Sequence, residues 1–148
     1  MMAEEITTAE SSAAVPAWYW IAAVAALLFE CAGAYLFVVS LSLDPASLPL
    51  DQRPIYDATP QWMTIAWAVA ISAGLLGALG LVVRRRLAET LLLISLIALV
   101  VQFSGLFLVR RLRELTPEDH LVVPVAILLA AYGIWQLAKL ARRRGWLT

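Results

Sequence analysis

The chain has 148 residues, of which 62% are hydrophobic and only 15% are charged, and its mean hydropathy is +0.82. A water-soluble domain has roughly 25% charged residues, so this composition excludes a soluble globular protein and indicates a membrane protein. The formal net charge is zero, which gives no indication of a nucleic-acid partner. The single cysteine, Cys31, excludes an intramolecular disulfide and a cysteine-rich metal site.

The chain divides into a short polar tail and one long apolar region. Residues 1–15 are rich in Ala, Glu, Ser and Thr, contain little that could pack, and are predicted to be a disordered N-terminal tail. Residues 16–148 are predicted to be a single domain with four apolar runs, because spanning the hydrocarbon core takes about 20 helical residues. The predicted fold class is an all-α, integral membrane four-helix transmembrane bundle. The predicted spans are about 17–41, 62–83, 88–109 and 120–140.

The segments between the spans differ in length and charge. Residues 42–60 contain four Pro and three Asp, which is typical of an irregular external loop. The Asp residues lack the spacing of a cation site, so no metal is predicted. Arg84, Arg85 and Arg86 form a tight turn between the second and third spans.

The distribution of Lys and Arg predicts the orientation. The side with both termini and the Arg84–Arg86 turn has seven basic residues, against four on the other side. The positive-inside rule then predicts a multi-pass protein of the bacterial inner membrane with both termini in the cytoplasm.

Basic and aromatic residues near the ends of the spans predict contact with lipid head groups. Trp18, Trp20, Trp62 and Trp146 fit an aromatic belt at the two interfaces. Six arginines are predicted to face anionic lipid of the inner leaflet, and the lipid bilayer is accordingly a predicted partner. These arginines are Arg84, Arg85, Arg86, Arg142, Arg143 and Arg144.

Glu30 is the only charged residue within the first span. It lies about 20 Å from one end of the run and about 16 Å from the other, so it is close to the membrane midplane. A carboxyl group at that depth is costly and is a functional-site hypothesis by default. Its neighbours at helical spacing are mostly small, and we therefore expect Glu30 to face the bundle interior.

Three other residues are candidates for a shared proton or substrate site. Ser72, Gln102 and Tyr132 lie near the middle of the second, third and fourth spans. Small residues on the second span, including Gly74, Gly77 and Gly80, predict close helix packing that would let Glu30, Ser72 and Gln102 meet. No Lys, Arg or His shares the depth of Glu30, so an ion pair is not predicted.

Two interpretations of Glu30 remain open. In one, the carboxyl exchanges a proton or cation during transport of a small solute. In the other, it is a permanently protonated interhelical hydrogen-bond anchor in a non-catalytic accessory or scaffold subunit. The sequence has no nucleophile–base pair, metal cluster or nucleotide loop, so neither enzyme activity nor a cofactor is predicted. Because four helices enclose little volume, a homo-oligomer or another membrane subunit is the expected partner.

Two resemblances accompany these inferences. Glu30-Cys31-Ala32-Gly33 resembles the first helix of the small multidrug resistance transporters, in which a membrane-embedded Glu is followed three residues later by Gly. That resemblance implies proton and cationic-drug binding at Glu30. The wider layout is similar to an uncharacterised group of small bacterial four-helix membrane proteins, sometimes labelled "sugar transporter". The residues that carry this second resemblance are Trp18-Tyr19-Trp20, Glu30, Thr59-Pro60-Gln61-Trp62, Gly74-Leu75-Leu76-Gly77-Ala78 and Ser95.

Overall fold

The structure is a computed structural model that describes residues 14–148. The predicted tail, residues 1–15, therefore lies outside the described residues except for its last two. Of these two, Val15 packs against the hydrophobic core.

The described residues form six α-helices and no strand, which confirms the predicted all-α fold class. Four of the helices are long and apolar enough to cross a membrane. A short 3-10 turn, Glu118–Leu121, leads into the last of them. The helices are α1 (Ala17–Ser42), α2 (Arg53–Ala58), α3 (Gln61–Val82), α4 (Leu87–Leu108), α5 (Arg110–Leu115) and α6 (Val122–Arg143).

Proline marks the start of two of the long helices. Pro16 and Pro60 stand immediately before α1 and α3, each with extended backbone geometry. Proline has no N–H to contribute, and its fixed φ angle suits the point where a chain turns into a helix. Pro124 lies in the first turn of α6, where it removes no intrahelical hydrogen bond.

The four long helices are connected up and down, and each packs mainly on the next in a row. α3 makes its most extensive contacts with α4, while α1 packs on α3 and α6 packs on α4. The bundle is consequently a chain of three seams in the order α1–α3–α4–α6. The ends of this row, α1 and α6, face each other across an open groove.

The seam between α3 and α4 depends on small residues. A Cβ atom on Gly77 would lie 2.7 Å from Leu92 Cγ, and one on Gly80 would lie 3.0 Å from Ala88 Cβ. Helix backbones in lipid approach closely where the side chains are small, because dispersion contacts replace the hydrophobic effect there. The small face predicted on the second span is therefore a real packing surface.

One end of the bundle is closed by the last residues of the described chain. Arg84 has a φ of 59° and its Nε donates a hydrogen bond to the carbonyl of Trp146 at 2.6 Å. The backbone N–H of Thr148 donates to the carbonyl of Arg84 at 2.6 Å, and the N–H of Arg86 donates to the carbonyl of Thr148 at 3.2 Å. We call residues 84–86 and 146–148 the clasp, and the end that contains them the clasp end.

Aromatic rings extend the clasp onto α1. Trp146 lies edge-on to Trp18 and to Tyr19, with ring centroids 5.6 Å apart in both pairs. The hydroxyl of Tyr19 donates to the carbonyl of Leu81 at 2.7 Å. Trp146 is only 7% exposed because it packs against α1, so it presents little surface to an aromatic belt. Trp18, Trp20 and Trp62 are exposed, as an aromatic belt requires.

The opposite end of the bundle holds the two longer connections. α2 packs on α5 there, and the residues between the helices are mostly exposed. We call this region, residues 43–60 and 109–121, the loop end.

Candidate functional site

Glu30 is buried in the seam between α1 and α3, with only 5% of the residue exposed. The buried residues of α1 are Tyr19, Ala23, Ala26 and Glu30, spaced alternately four and three apart. This is the spacing of a helix that presents one narrow stripe to a neighbouring helix. Glu30 therefore faces the bundle because it falls on the stripe that packs against α3, as its small neighbours predicted.

Gly74 makes room for the carboxyl group. A Cβ atom on Gly74 would collide with Oε2 of Glu30, and the other carboxyl atoms would be less than 3 Å from it. One helical turn further along α1, Ile71 Cδ1 lies 3.0 Å from the position of a Cβ on Gly33. The carboxyl of Glu30 thus rests directly on the backbone of α3, in a space that only glycine leaves open.

The carboxyl of Glu30 has no hydrogen-bond partner among residues 14–148. The ion pairs of the described residues are Arg110 with Glu114 and Arg142 with Glu89, neither of which involves it. An apolar seam offers a carboxyl group no water, so its hydrogen bonds would have to come from the protein or from a ligand. A neutral carboxyl still has one donor and acceptor oxygens to satisfy. The donor and acceptor atoms of the Glu30 carboxyl are therefore not used by other residues of the described chain.

Ser72 does not reach Glu30. Its side chain is exposed, and its hydroxyl donates to the carbonyl of Ala68 in the preceding turn of α3 at 2.8 Å. Ser72 is two residues from Gly74, which on a helix is about 200° around the axis. The prediction that the side chains of Glu30 and Ser72 meet is wrong, because Gly74 rather than Ser72 occupies the face toward α1.

Gln102 is also distant from Glu30 along the bundle. Ser95 of α4 donates to the carbonyl of Ala70 at 2.8 Å, and Leu92 lies against Gly77, so the level of Gly74 falls between Leu92 and Ser95. Gln102 is at least seven residues beyond that level, or about 10 Å. Its Oε1 atom is enclosed and has no hydrogen-bond partner in the described part of the chain. The expected trio of Glu30, Ser72 and Gln102 does not assemble.

Tyr132 lies on the outer surface of α6. It is 49% exposed, and its ring is 5.8 Å from that of Trp135. It therefore forms no common site with Glu30 in this structure.

Gly74 is a neighbour of Glu30 that the sequence did not identify as such, and Ser95 is a buried contact between α3 and α4 that it did not identify. The sequence signal for Gly74 was present in the small face of the second span, but small residues do not reveal which partner helix they meet. Ser95 is 3% exposed and joins α4 to α3 through its hydroxyl. A serine in an apolar run gives no sign of whether it will bond within its own helix, as Ser72 does, or across a seam.

The six arginines predicted to contact lipid divide into three groups. Arg84 belongs to the clasp, where its Nε donates a hydrogen bond to the carbonyl of Trp146, so it has a structural contact in addition to its predicted lipid contact. Arg142 forms an ion pair with Glu89 at 2.8 Å. Four remain exposed and free to meet head groups, namely Arg85, Arg86, Arg143 and Arg144.

The described residues contain no group of three or more His, Cys, Asp or Glu side chains that could hold a metal ion. Glu30 does not line either of two grooves on the surface of the described chain. One is apolar and separates α1 from α6, and the other is formed by Glu89, Lys139, Arg142 and Arg143.

The fold and the site define a small multi-pass membrane protein with a lone carboxyl group between two of its spans. Comparison of the chain with protein families, with curated proteins and with solved structures finds no match. The resemblances to small multidrug resistance transporters and to the small four-helix group stay predictions.

Proposed function

We propose that this membrane protein binds a proton or a small cation at Glu30 and couples that binding to the movement of a small solute. The observation that supports the proposal is the state of the carboxyl, which is buried at mid-depth and has no hydrogen-bond partner among residues 14–148. A polar group in such a place is costly to keep, and intramembrane carboxyl groups generally mark ion or substrate paths.

The geometry also bears on the alternative, in which Glu30 anchors one helix to another by a hydrogen bond. An anchor of that kind needs an acceptor or donor on the facing helix, whereas the carboxyl meets the Cα of Gly74. The alternative would therefore require a partner from another protein or a second copy. The anchor alternative is supported by the close approach of the Glu30 carboxyl to the backbone of α3 at Gly74.

The transport proposal also requires a second copy of the chain. One apolar core at the clasp end contains residues of all four spans, and Glu30 is packed against α3, so a lumen beside Glu30 would need a second copy. In the cell we place the protein in a bacterial inner membrane, with the clasp end toward the cytoplasm because most basic residues lie there. We expect it to have no enzyme activity of its own.

The test is proton flux in proteoliposomes that contain a trapped pH-sensitive dye, with a potassium gradient and valinomycin as the driving force. We expect the wild type to acidify or alkalinise the lumen faster than empty vesicles, and Glu30→Gln to reduce this rate to that of empty vesicles. Ser72→Ala is the matched control, because it changes an exposed polar group near the same depth and should leave the flux intact. Equal rates for the wild type and Glu30→Gln would reject the proposal.

A second measurement separates lost function from lost fold. A hydrophobic carbodiimide modifies neutral carboxyl groups within membranes, so mass spectrometry of the treated wild type should find the label on Glu30. The accessory-subunit alternative predicts a different pattern, in which Glu30→Gln keeps any assembly with a partner and Glu30→Ala loses it.

A further inference from the structure

The groove between α1 and α6 is an unfilled space on the surface of the protein, with a volume of about 380 Å³. Its walls are almost entirely apolar and include Ala22, Ala25 and Phe29 from α1, with Gly133, Ile134 and Leu137 from α6. The groove is open along the side of the bundle, so hydrocarbon chains of the surrounding membrane have direct access to it.

Gly133 makes the α6 wall of the groove hollow. A Cβ atom placed on it would meet no other atom within 4 Å, whereas those on Gly74, Gly77, Gly80 and Gly105 would lie 3.0 Å or less from an atom of a neighbouring helix. The space beside Gly133 is thus not used for packing within the described chain.

The size of the groove favours a hydrocarbon chain over another transmembrane helix. A transmembrane helix about 10 Å across and 30 Å long is far larger than the groove, so it could insert only a few side chains there. A flexible, narrow chain can fill a space of this size completely.

One end of the groove carries groups that suit an anionic head group. Arg144, the first residue after α6, follows Leu137 by seven residues, which places it about two helical turns or 10 Å further toward the clasp end. Arg144 is exposed and forms no ion pair with any described residue. On the α1 side, Trp18 precedes Ala22 by one turn and is 48% exposed, with its ring held against Trp146.

Arg144 and Trp18 thus provide a cationic and an aromatic group at the membrane surface, and the apolar groove runs from there toward the membrane interior. Arginine at this depth attracts anionic lipid, and tryptophan prefers the head-group level because its ring is apolar and its N–H is polar. We propose that the α1–α6 groove binds one anionic phospholipid, with an acyl chain between Ala25 and Gly133 and the phosphate at Arg144. This inference does not depend on the proposed function of Glu30.

The test uses native mass spectrometry of the 148-residue chain in micelles that contain either phosphatidylglycerol or phosphatidylcholine with the same acyl chains. We expect the wild type to retain one phosphatidylglycerol, bound about fivefold more tightly than phosphatidylcholine, since one arginine near the surface contributes a factor of that order. Equal retention of the two lipids would overturn the proposal.

Two variants fill the groove from opposite walls. Gly133→Leu and Ala25→Leu should each abolish lipid retention, because a leucine side chain at either position occupies the space of the acyl chain. Val125→Leu is the matched control, since Val125 is an exposed residue of α6 outside the groove and the change should leave retention as in the wild type. Thermal unfolding in the same micelles shows which variants are folded. If one of the two leucine variants does not fold, the other still tests the groove from the opposite wall.

A third variant tests the head group separately. Arg144→Gln should keep a lipid in the groove but lose the preference for phosphatidylglycerol, whereas Arg111→Gln at the loop end should keep the preference. Retention of phosphatidylglycerol by both filled variants would overturn the site. If the filled variants instead convert a dimer to a monomer and leave lipid retention unchanged, the occupant is a second copy and the proposal is wrong.

Discussion

The two ends of the bundle are held together by different kinds of contact. At the clasp end, side-chain hydrogen bonds join residues that are 53 to 64 positions apart, as in Tyr19 with Leu81 and Thr148 with Arg84. At the loop end, the side-chain hydrogen bonds of the described residues join positions seven or fewer apart, as in Arg53 with Ala46 and Arg110 with Glu114. The clasp end therefore fixes which helices are neighbours, and the loop end shapes only its own connections.

This difference indicates where the bundle can open. Segments with few long-range contacts and exposed backbone open at lower free energy than a packed core. Glu30 lies between the two ends, so we expect solvent or solute to reach it from the loop end.

Among variants that compare the two ends, the largest loss of stability is expected from Trp146→Ala. The ring of Trp146 fills the space between α1 and the clasp, and loss of a buried aromatic side chain costs about 3 kcal/mol or more. Trp62→Ala is the matched control at the loop end, where the ring is 40% exposed and should contribute much less. Thermal unfolding followed by circular dichroism in micelles measures both. Equal losses of stability in the two variants would show that the clasp is not the stronger end.

A smaller effect is expected at the level of Glu30. Gly74→Ala would place a methyl group where the Glu30 carboxyl lies, and such overpacking costs about 1–3 kcal/mol. Adding Glu30→Ala should restore most of that loss, because it removes the atoms that collide. Gly133→Ala is the control, since its Cβ would meet nothing and should leave the unfolding temperature unchanged or slightly raised. A double variant no more stable than Gly74→Ala alone would contradict the described contact.

The smallest effect concerns the two ion pairs, one at each end. Arg142→Gln removes the pair that joins α6 to α4 near the clasp and should cost about 0–1 kcal/mol, because Arg142 is more than half exposed. Arg110→Gln removes a pair within α5 whose side chains are 85% and 60% exposed, and we expect no measurable change. Chemical denaturation in micelles at low and high salt compares them. A larger loss for Arg110→Gln would reverse the comparison.

Much of the fold was predictable from local composition. Each of the four apolar runs became one long helix, because in a membrane every backbone N–H and C=O must be satisfied within the segment. The fourth helix begins at Val122, two residues later than the predicted span at 120, since Glu118–Leu121 forms a 3-10 turn. The burial of Glu30 was also predictable from the sequence, because its small neighbours at helical spacing indicated a packed face.

The partners of Glu30 were not predictable from depth alone. Ser72 and Gln102 have suitable positions along their helices, but rotation about the helix axis and the register between helices decide which side chains meet. Ser72 is two residues from Gly74 and therefore faces outward, on the other side of α3. Gln102 lies about 10 Å from the level of Glu30 along α4. Neither quantity can be read from one helix considered by itself.

By itself, the sequence determined that this chain is a four-span helical membrane protein with one carboxyl group at mid-depth, because hydropathy and helical periodicity are local properties. Only the tertiary structure decided that Glu30 rests on Gly74, that Arg84 and Trp146 belong to a clasp, and that α1 and α6 are separated by a groove. The physical reason is that seams between apolar helices depend on how small surfaces match across space, and many arrangements share the same hydropathy.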